Sequence, residues 1–279
     1  MGTAFHKYEG LGNDFVVVEA ASEEAFPASR AVALCDRHRG IGADGILLVL
    51  PPRGAGGELA RMRVINADGS TPEMCGNGVR CVALHLLRTR KLGGRSLTLD
   101  TDAGPRGCTL DSIDASSENA MVTVDMGVVQ VLGNRVLRDL GVSSPPPLCL
   151  DLACTLADAG NPHAVLFGAF ARGDVDRLGP RLATHPAFPH GTNVEFAHVA
   201  DGDGGGIDLV VWERGVGVTL ACGTGACATV AVACARGLVA HGKAVPVRLP
   251  GGQLDVTIDP AGRATMRGPA RHVFEGSLD

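Results

Sequence analysis

Two stretches of this chain are apolar around much of their circumference at helical spacing, Gly78–Thr89 and Gly225–Ala240. Helices of that kind are usually buried. Two further helical candidates are Ser29–Arg39 and Phe170–Leu178. Alternating or continuous apolar runs predict strands at Phe15–Glu19, Gly45–Leu50, Arg61–Asn66, Leu97–Thr101, Ala120–Asp125, Asp208–Glu213 and Asp255–Ile258. Ser143–Pro147 reads as an interdomain loop and Asp201–Gly206 as a hairpin turn.

The pattern occurs twice. Gly12-Asn13-Asp14-Phe15-Val16-Val17 matches Gly160-Asn161-Pro162-His163-Ala164-Val165, and Gly42-Ala43-Asp44 matches Gly191-Thr192-Asn193. Asn66 falls opposite Glu213, Cys75 opposite Cys222, Leu97–Leu99 opposite Val245–Val247, and Gly107–Asp111 opposite Asp255–Asp259. A nearly constant offset over this span implies two homologous halves. The expected fold is α+β, with two pseudo-symmetric repeats. Each is a curved, mostly antiparallel sheet wrapped around one central helix, and the active site lies in the cleft between them. The expected domains are 1–127 and 128–279, with the last residues able to pack back on the first domain.

Composition narrows the class. The 279 residues are 45% hydrophobic and 20% charged, enough for a substantial core. The net charge is −5, and no basic stripe invites nucleic acid. Met1–Lys7 lacks the apolar segment of a secretory signal. The longest apolar run, Ala226–Ala235, falls far short of the ~20 residues that cross a bilayer. The expectation is a cytoplasmic protein without a membrane or nucleic-acid partner. The nine cysteines are odd in number and include no Cys-x-x-Cys, which argues against a disulfide framework and a structural zinc site.

Chemistry concentrates in Met74-Cys75-Gly76-Asn77-Gly78 and Ala221-Cys222-Gly223-Thr224-Gly225. Each sets a cysteine before a glycine-rich turn that opens an apolar helix. Free N–H groups at a helix start bind anions, and the dipole there is expected to lower a thiol's pKa toward neutrality. Two such starts would make a carboxylate pocket, with side-chain hydrogen bonds from Asn77 and Thr224. One thiolate as base and one thiol as acid could remove a proton from one face of a carbon and return it on the other. Nothing in this logic calls for a cofactor.

Each signal is weak alone. A single Cys-Gly-x-Gly is often a buried thiol at a tight turn. His163 by itself would be a satisfied core histidine, Asn13, Asn66, Asn161 and Asn193 turn residues, and Glu213-Arg214 a surface ion pair. Recurrence at matched positions favours a shared site. His85 and the other cysteines read as core.

Taken as an ordered set, these motifs resemble the diaminopimelate epimerase family, cofactor-independent enzymes that interconvert LL- and meso-diaminopimelate. The likeness also includes Gly42-Ala43-Asp44-Gly45, Gly191-Thr192-Asn193-Val194, Trp212-Glu213-Arg214-Gly215 and Gly268-Pro269-Ala270. It implies that Cys75 and Cys222 are the two catalytic bases. Gly76-Asn77 and Gly223-Thr224 would hold the α-carboxylate, and His163 and Glu213 would lie near the reacting centre and support the thiols. Asn13, Asn66, Asn161, Asn193 and Arg214 would read the rest of the substrate, with Arg214 binding the distal carboxylate in bidentate fashion. It further implies a cytoplasmic homodimer, without metal or cofactor, serving lysine and peptidoglycan precursor synthesis. Two positions depart. Some members carry Gln where this chain has Gly45, which removes one substrate contact. Phe274 stands where some members place a Tyr at the dimer interface.

Proline racemase and hydroxyproline epimerase share the cysteine pair, but their first motif more often carries His where this chain has Asn77. An amino-acid-binding scaffold or a thiol redox protein would leave the paired motifs without a purpose.

Overall fold

The computed structural model describes residues 3–54, 56–90, 92–137, 140–141, 153–200 and 205–278. Cys149, the Ser143–Pro147 loop and all but the end of the Asp201–Gly206 turn lie outside the described residues. The chain divides into two compact units, Met1–Asp125 with Arg267–Asp279, and Met126–Met266.

The first unit contains strands β1 (Thr3–Gly10) and β2 (Asn13–Glu19), helix α1 (Ala28–Cys35), strands β3 (Gly45–Leu50) and β4 (Ala60–Asn66), and helix α2 (Gly76–Arg90). Strands β5 (Ser96–Asp100), β6 (Arg106–Ile113) and β7 (Asn119–Val128) follow. The second unit contains β8 (Gln130–Val136), β9 (Ala153–Asp158), β10 (Pro162–Phe167), α3 (Arg172–Ala183), β11 (Asn193–Val199) and β12 (Ile207–Glu213). It continues through β13 (Gly217–Thr219), α4 (Gly223–Ala235), β14 (Val245–Leu249) and β15 (Gly252–Ile258). The last strand, β16 (Arg263–Leu278), pairs antiparallel with β1 inside the first unit. The fold is α+β.

The two units share one topology. In the first, β1–β2 is antiparallel, β2–β3 parallel, β3–β4 antiparallel, β4–β5 parallel and β5–β6 antiparallel. In the second, β9–β10, β10–β11, β11–β12, β12–β14 and β14–β15 follow the same order of senses. Each parallel pair is joined through a helix, because parallel neighbours need a crossover whereas antiparallel ones need only a turn. Helix α2 packs on β1 through β6, and α4 packs on β8 through β11 and β15, so each lies against its own unit's strands. Their burial follows from sequence, since every residue from Gly223 to Cys234 and from Gly76 to Leu86 is buried.

The ladders correct one detail of the repeat. Gly42 and Gly191 are equivalent turn glycines, with φ of 79° and 69°. Beyond them, however, Phe15 pairs with Gly45 and His163 with Asn193. Asn193 therefore takes the place of Gly45, not of Asp44. The first repeat holds one more residue there, and Asp44 uses it to accept Asn13 Nδ2 and the Asp14 N–H, each at 3.1 Å.

Helix bounds also shift. Helix α4 stops at Ala235 rather than Ala240, because Gly237 is left-handed (φ 69°) and Leu238 N–H turns back to Ala233 O at 2.9 Å. Helix α1 ends at Cys35 rather than Arg39, because the Asp36 carboxylate accepts the His38 and Arg39 N–H groups and forms a turn. Helix α3 starts later than expected and runs through Pro180, because Leu182 and Ala183 bury in the core beyond it.

Candidate active site

Both cysteines sit at helix starts, and each sulfur takes the place of a conventional capping oxygen. Gly78 N–H points to Cys75 Sγ and Gly225 N–H to Cys222 Sγ, both at 3.4 Å. The space beside each glycine is tight. A Cβ on Gly78 would stand 2.8 Å from Leu47 Cδ2, and one on Gly225 would stand 3.0 Å from Glu195 Oε1 and 3.2 Å from Cys222 Sγ.

In the first unit, Cys75 is partly exposed beside buried Gly76 and Asn77. The Asn77 side chain has a partner at each end. Its Nδ2 donates to Asn13 Oδ1 at 2.5 Å, and its Oδ1 accepts from Arg80 Nη2 at 2.8 Å. Arg80 is fully buried and also donates to Pro269 O. Asn66, at the end of β4, pairs with Gly45 on the ladder and donates to Ser70 Oγ at 2.9 Å. A side chain at Gly45 would bring its Cβ to 2.9 Å from Ile65 O.

In the second unit, the side chains gather beneath Cys222. His163 is buried, with Nδ1 at 2.6 Å from Glu195 Oε1 and Nε2 at 2.7 Å from Asn161 Oδ1. Both ring nitrogens face oxygens, which pins the ring plane. Glu213 closes β12 and accepts from Thr219 Oγ1 at 2.6 Å, and its charge acts on the Cys222 thiol. Thr224 Oγ1 lies 3.5 Å from Cys222 Sγ. Glu213 and Arg214 do not pair with each other. Arg214 is exposed, donating from its backbone N–H to Asn193 Oδ1 at 2.8 Å and from Nη1 to His190 O at 2.5 Å.

Electrostatics overturn one expectation. The Cys222 thiol is pushed well up, not down. Burial is the main cause, followed by the negative charges of Glu213 and Glu195, and the helix-start N–H of Gly225 offsets only part of this. Burial likewise raises both carboxyls, with His163 opposing the rise in each.

Sequence reasoning missed Glu195. It lies mid-strand in β11 and is fully buried, with Oε2 lacking any hydrogen-bond partner. The signal was present, because a lone acidic residue interrupts the apolar run Val194-Glu195-Phe196-Ala197. An ionisable group there needs a partner.

The diaminopimelate epimerase family matches residues 5–132 and 155–273. A diaminopimelate epimerase from Microcystis aeruginosa is 42% identical over 289 residues, covering 99% of each chain. One from Synechocystis is 40% identical over 294 residues, covering 100% of each. Among solved structures, a hydroxyproline epimerase from Agrobacterium vitis gives a TM-score of 0.73 at 19% identity, covering 99% of this chain and 92% of that one. A predicted epimerase from Pseudomonas aeruginosa gives 0.75 at 14%, covering 99% of each. At such identities the likeness is one of fold. The sequence matches span the whole chain and include both cysteine-capped helices, and the chain belongs to the diaminopimelate epimerase family of isomerases.

Proposed function

We propose that the protein epimerises LL-diaminopimelate to meso-diaminopimelate by a two-base mechanism using Cys75 and Cys222. The observation that carries this reading is the pair of thiol-capped helix starts at equivalent places in the two repeats. Family membership supports the substrate. One thiolate takes the α-proton, and the electron pair stays on the substrate as a carbanion spread toward the α-carboxylate. The other thiol then delivers its proton to the opposite face. The N–H groups of Gly76-Asn77 and Gly223-Thr224 are suited to stabilise the charge where it develops.

The raised thiol of Cys222 begins protonated, so it is the acid when Cys75 is the base. In the reverse direction Glu213 accepts the Cys222 proton. Glu195 is a positioning residue in this scheme, acting through His163. Asn13, Asn66, Asn161, Asn193 and Arg214 read the distal end of the substrate, and the exposed guanidinium of Arg214 serves its carboxylate. The eight described cysteines form no disulfide with one another, which fits a reducing, cytoplasmic setting. Among the described residues no helix is long and apolar enough to cross a membrane. A homodimer is part of the reading. The exposed Val273 and Phe274 on β16 are the surface that would be covered.

The test is incubation with LL-diaminopimelate in deuterated water. The expected result is α-deuterium in a meso product, with proline and lysine exchanging far more slowly. Proline exchanging as fast as diaminopimelate would replace this reading with a proline racemase.

A further inference from the structure

Strands β1 and β16 bring together residues from opposite ends of the sequence. His6 stands opposite Glu275 and Tyr8 opposite His272. The register shifts between Lys7 and Tyr8, so β16 carries one extra residue, Val273, between Phe274 and His272. In a regular strand, residues three apart point to opposite faces. The bulge absorbs one residue and turns His272 and Glu275 to the same face. His6 and Tyr8, two apart on β1, share it.

Three ligand atoms converge there. His6 Nδ1 lies 3.1 Å and His272 Nε2 lies 3.8 Å from the same oxygen, Glu275 Oε2. His6 Nδ1 is at ion-pair distance from that oxygen without hydrogen-bonding it, His272 Nε2 lies beyond hydrogen-bond reach, and both nitrogens are shut off from water with no hydrogen-bond partner. Two orphaned imidazole nitrogens aimed at one carboxylate form a costly arrangement for an empty site. The three ligand groups lie within 4.8 Å of one another. A point equidistant from all three atoms is then about 2.4 Å from each, or nearer. Zinc bonds to imidazole and carboxylate at ~2.0–2.2 Å, so a shift of a few tenths of an ångström closes the site.

We propose that His6 Nδ1, His272 Nε2 and Glu275 Oε2 form a binding site for a divalent transition metal, with zinc as the ion favoured by two imidazoles, one carboxylate and an open fourth position. The bound ion ties the first strand to the last. The rings are held from behind. His85 packs at 4.8 Å from His6, and Tyr8 at 5.1 Å from His272. Arg88, the cation facing His272, donates to Ser117 O at 2.7 Å, and Glu118 offsets its charge. The Glu275 side chain is 62% exposed, which lets the ion enter from solvent. No sequence spacing signals this site, because the strand pairing and the bulge create it.

The test is equilibrium dialysis of the full-length, reduced, chelator-treated protein against zinc, with cobalt(II) as a spectroscopic probe. The wild type should hold one ion that E275Q weakens at least tenfold and H272Q removes. Bound cobalt should show visible ligand-field bands without the near-ultraviolet charge-transfer band of a thiolate. E275Q should keep full epimerase activity, and because Glu275 is exposed its fold is not at risk, so it decides the matter even if H272Q fails to fold. Absence of zinc binding in the wild type would overturn the proposal. So would an affinity unchanged in E275Q, or cobalt bound with a thiolate band and lost in C75S.

Discussion

The two repeats share strand order, register and a thiol-capped helix, yet they place their buried polar groups differently. In the second repeat, His163 and Glu195 form a buried pair at the foot of the Cys222 helix. The ladder positions equivalent to these in the first repeat are Phe15 and Leu47, and Leu47 fills the same place against Gly78 that Glu195 fills against Gly225. The first repeat keeps its buried histidine farther along α2, at His85, where α4 has the buried Val232. A single scaffold thus carries an apolar floor under one thiol and a buried polar, hydrogen-bonded floor under the other. The ladders are set by backbone pairing and alternation, so side chains inside them can change character without altering the fold.

The largest expected effect is on activity. C75S and C222S should each reduce epimerisation by about 10²–10⁴-fold, the range for losing a general acid or base. Deuterium incorporation from LL- and from meso-diaminopimelate reads this out, and wild-type turnover in either variant would remove that thiol from the mechanism.

Next comes the exchanged floor. E195A strips the buried His163 of its Nδ1 partner and should cost about 3–5 kcal/mol of stability, as breaking buried pairs does. Installing the first repeat's residues as H163F/E195L should recover most of that while leaving the enzyme inactive. Urea unfolding of both variants measures it. A double variant as unstable as E195A would show that the two floors are not interchangeable.

A smaller effect concerns His85, whose pKa burial and His6 depress to about 4. Between that value and the ordinary 6.5, the unfolded chain binds a proton that the folded chain refuses. Stability should therefore fall as pH drops through this window, by roughly 2–3 kcal/mol at ~1.4 kcal/mol per pKa unit. H85V, which installs the second repeat's residue, should flatten that slope in denaturation midpoints measured from pH 7 to 4. An unchanged slope would locate the acid sensitivity elsewhere.

The mildest effect is at Gly45. G45N copies Asn193 into the equivalent ladder position, but its Cβ meets a backbone carbonyl oxygen at 2.9 Å. Overpacking of this kind costs about 1–3 kcal/mol. A thermal midpoint equal to wild type would mean that Ile65 yields freely.

Much of this was legible in the sequence because it depended on local pattern. The strands at Gly45–Leu50 and Asp208–Glu213 and the largely apolar helices are marked by composition, and the cysteine motifs by repetition. The expected strands leave out β1, β6, β8, β9, β10, β11, β13, β14 and β16, and in β1 and β16 mixed polar residues such as His6, Lys7 and His272 mask the alternation. Helix ends were misjudged where one glycine or aspartate decided them. The type and position of Asn77 are legible in the sequence, but its contacts with Asn13 and Arg80 are not, because they depend on β2 and α2 packing together.

By itself, then, the sequence determined the duplicated α+β architecture, the two helix-start thiols and their kinship with an epimerase family, because hydrophobic period and motif spacing are properties of contiguous residues. Only the tertiary structure decided that Glu195 lies under Cys222, that the Cys222 thiol is raised rather than lowered, and that a bulge turns His272 and Glu275 toward His6. Those outcomes depend on desolvation and on charges brought close by strand pairing, and neither is encoded in any single stretch of chain.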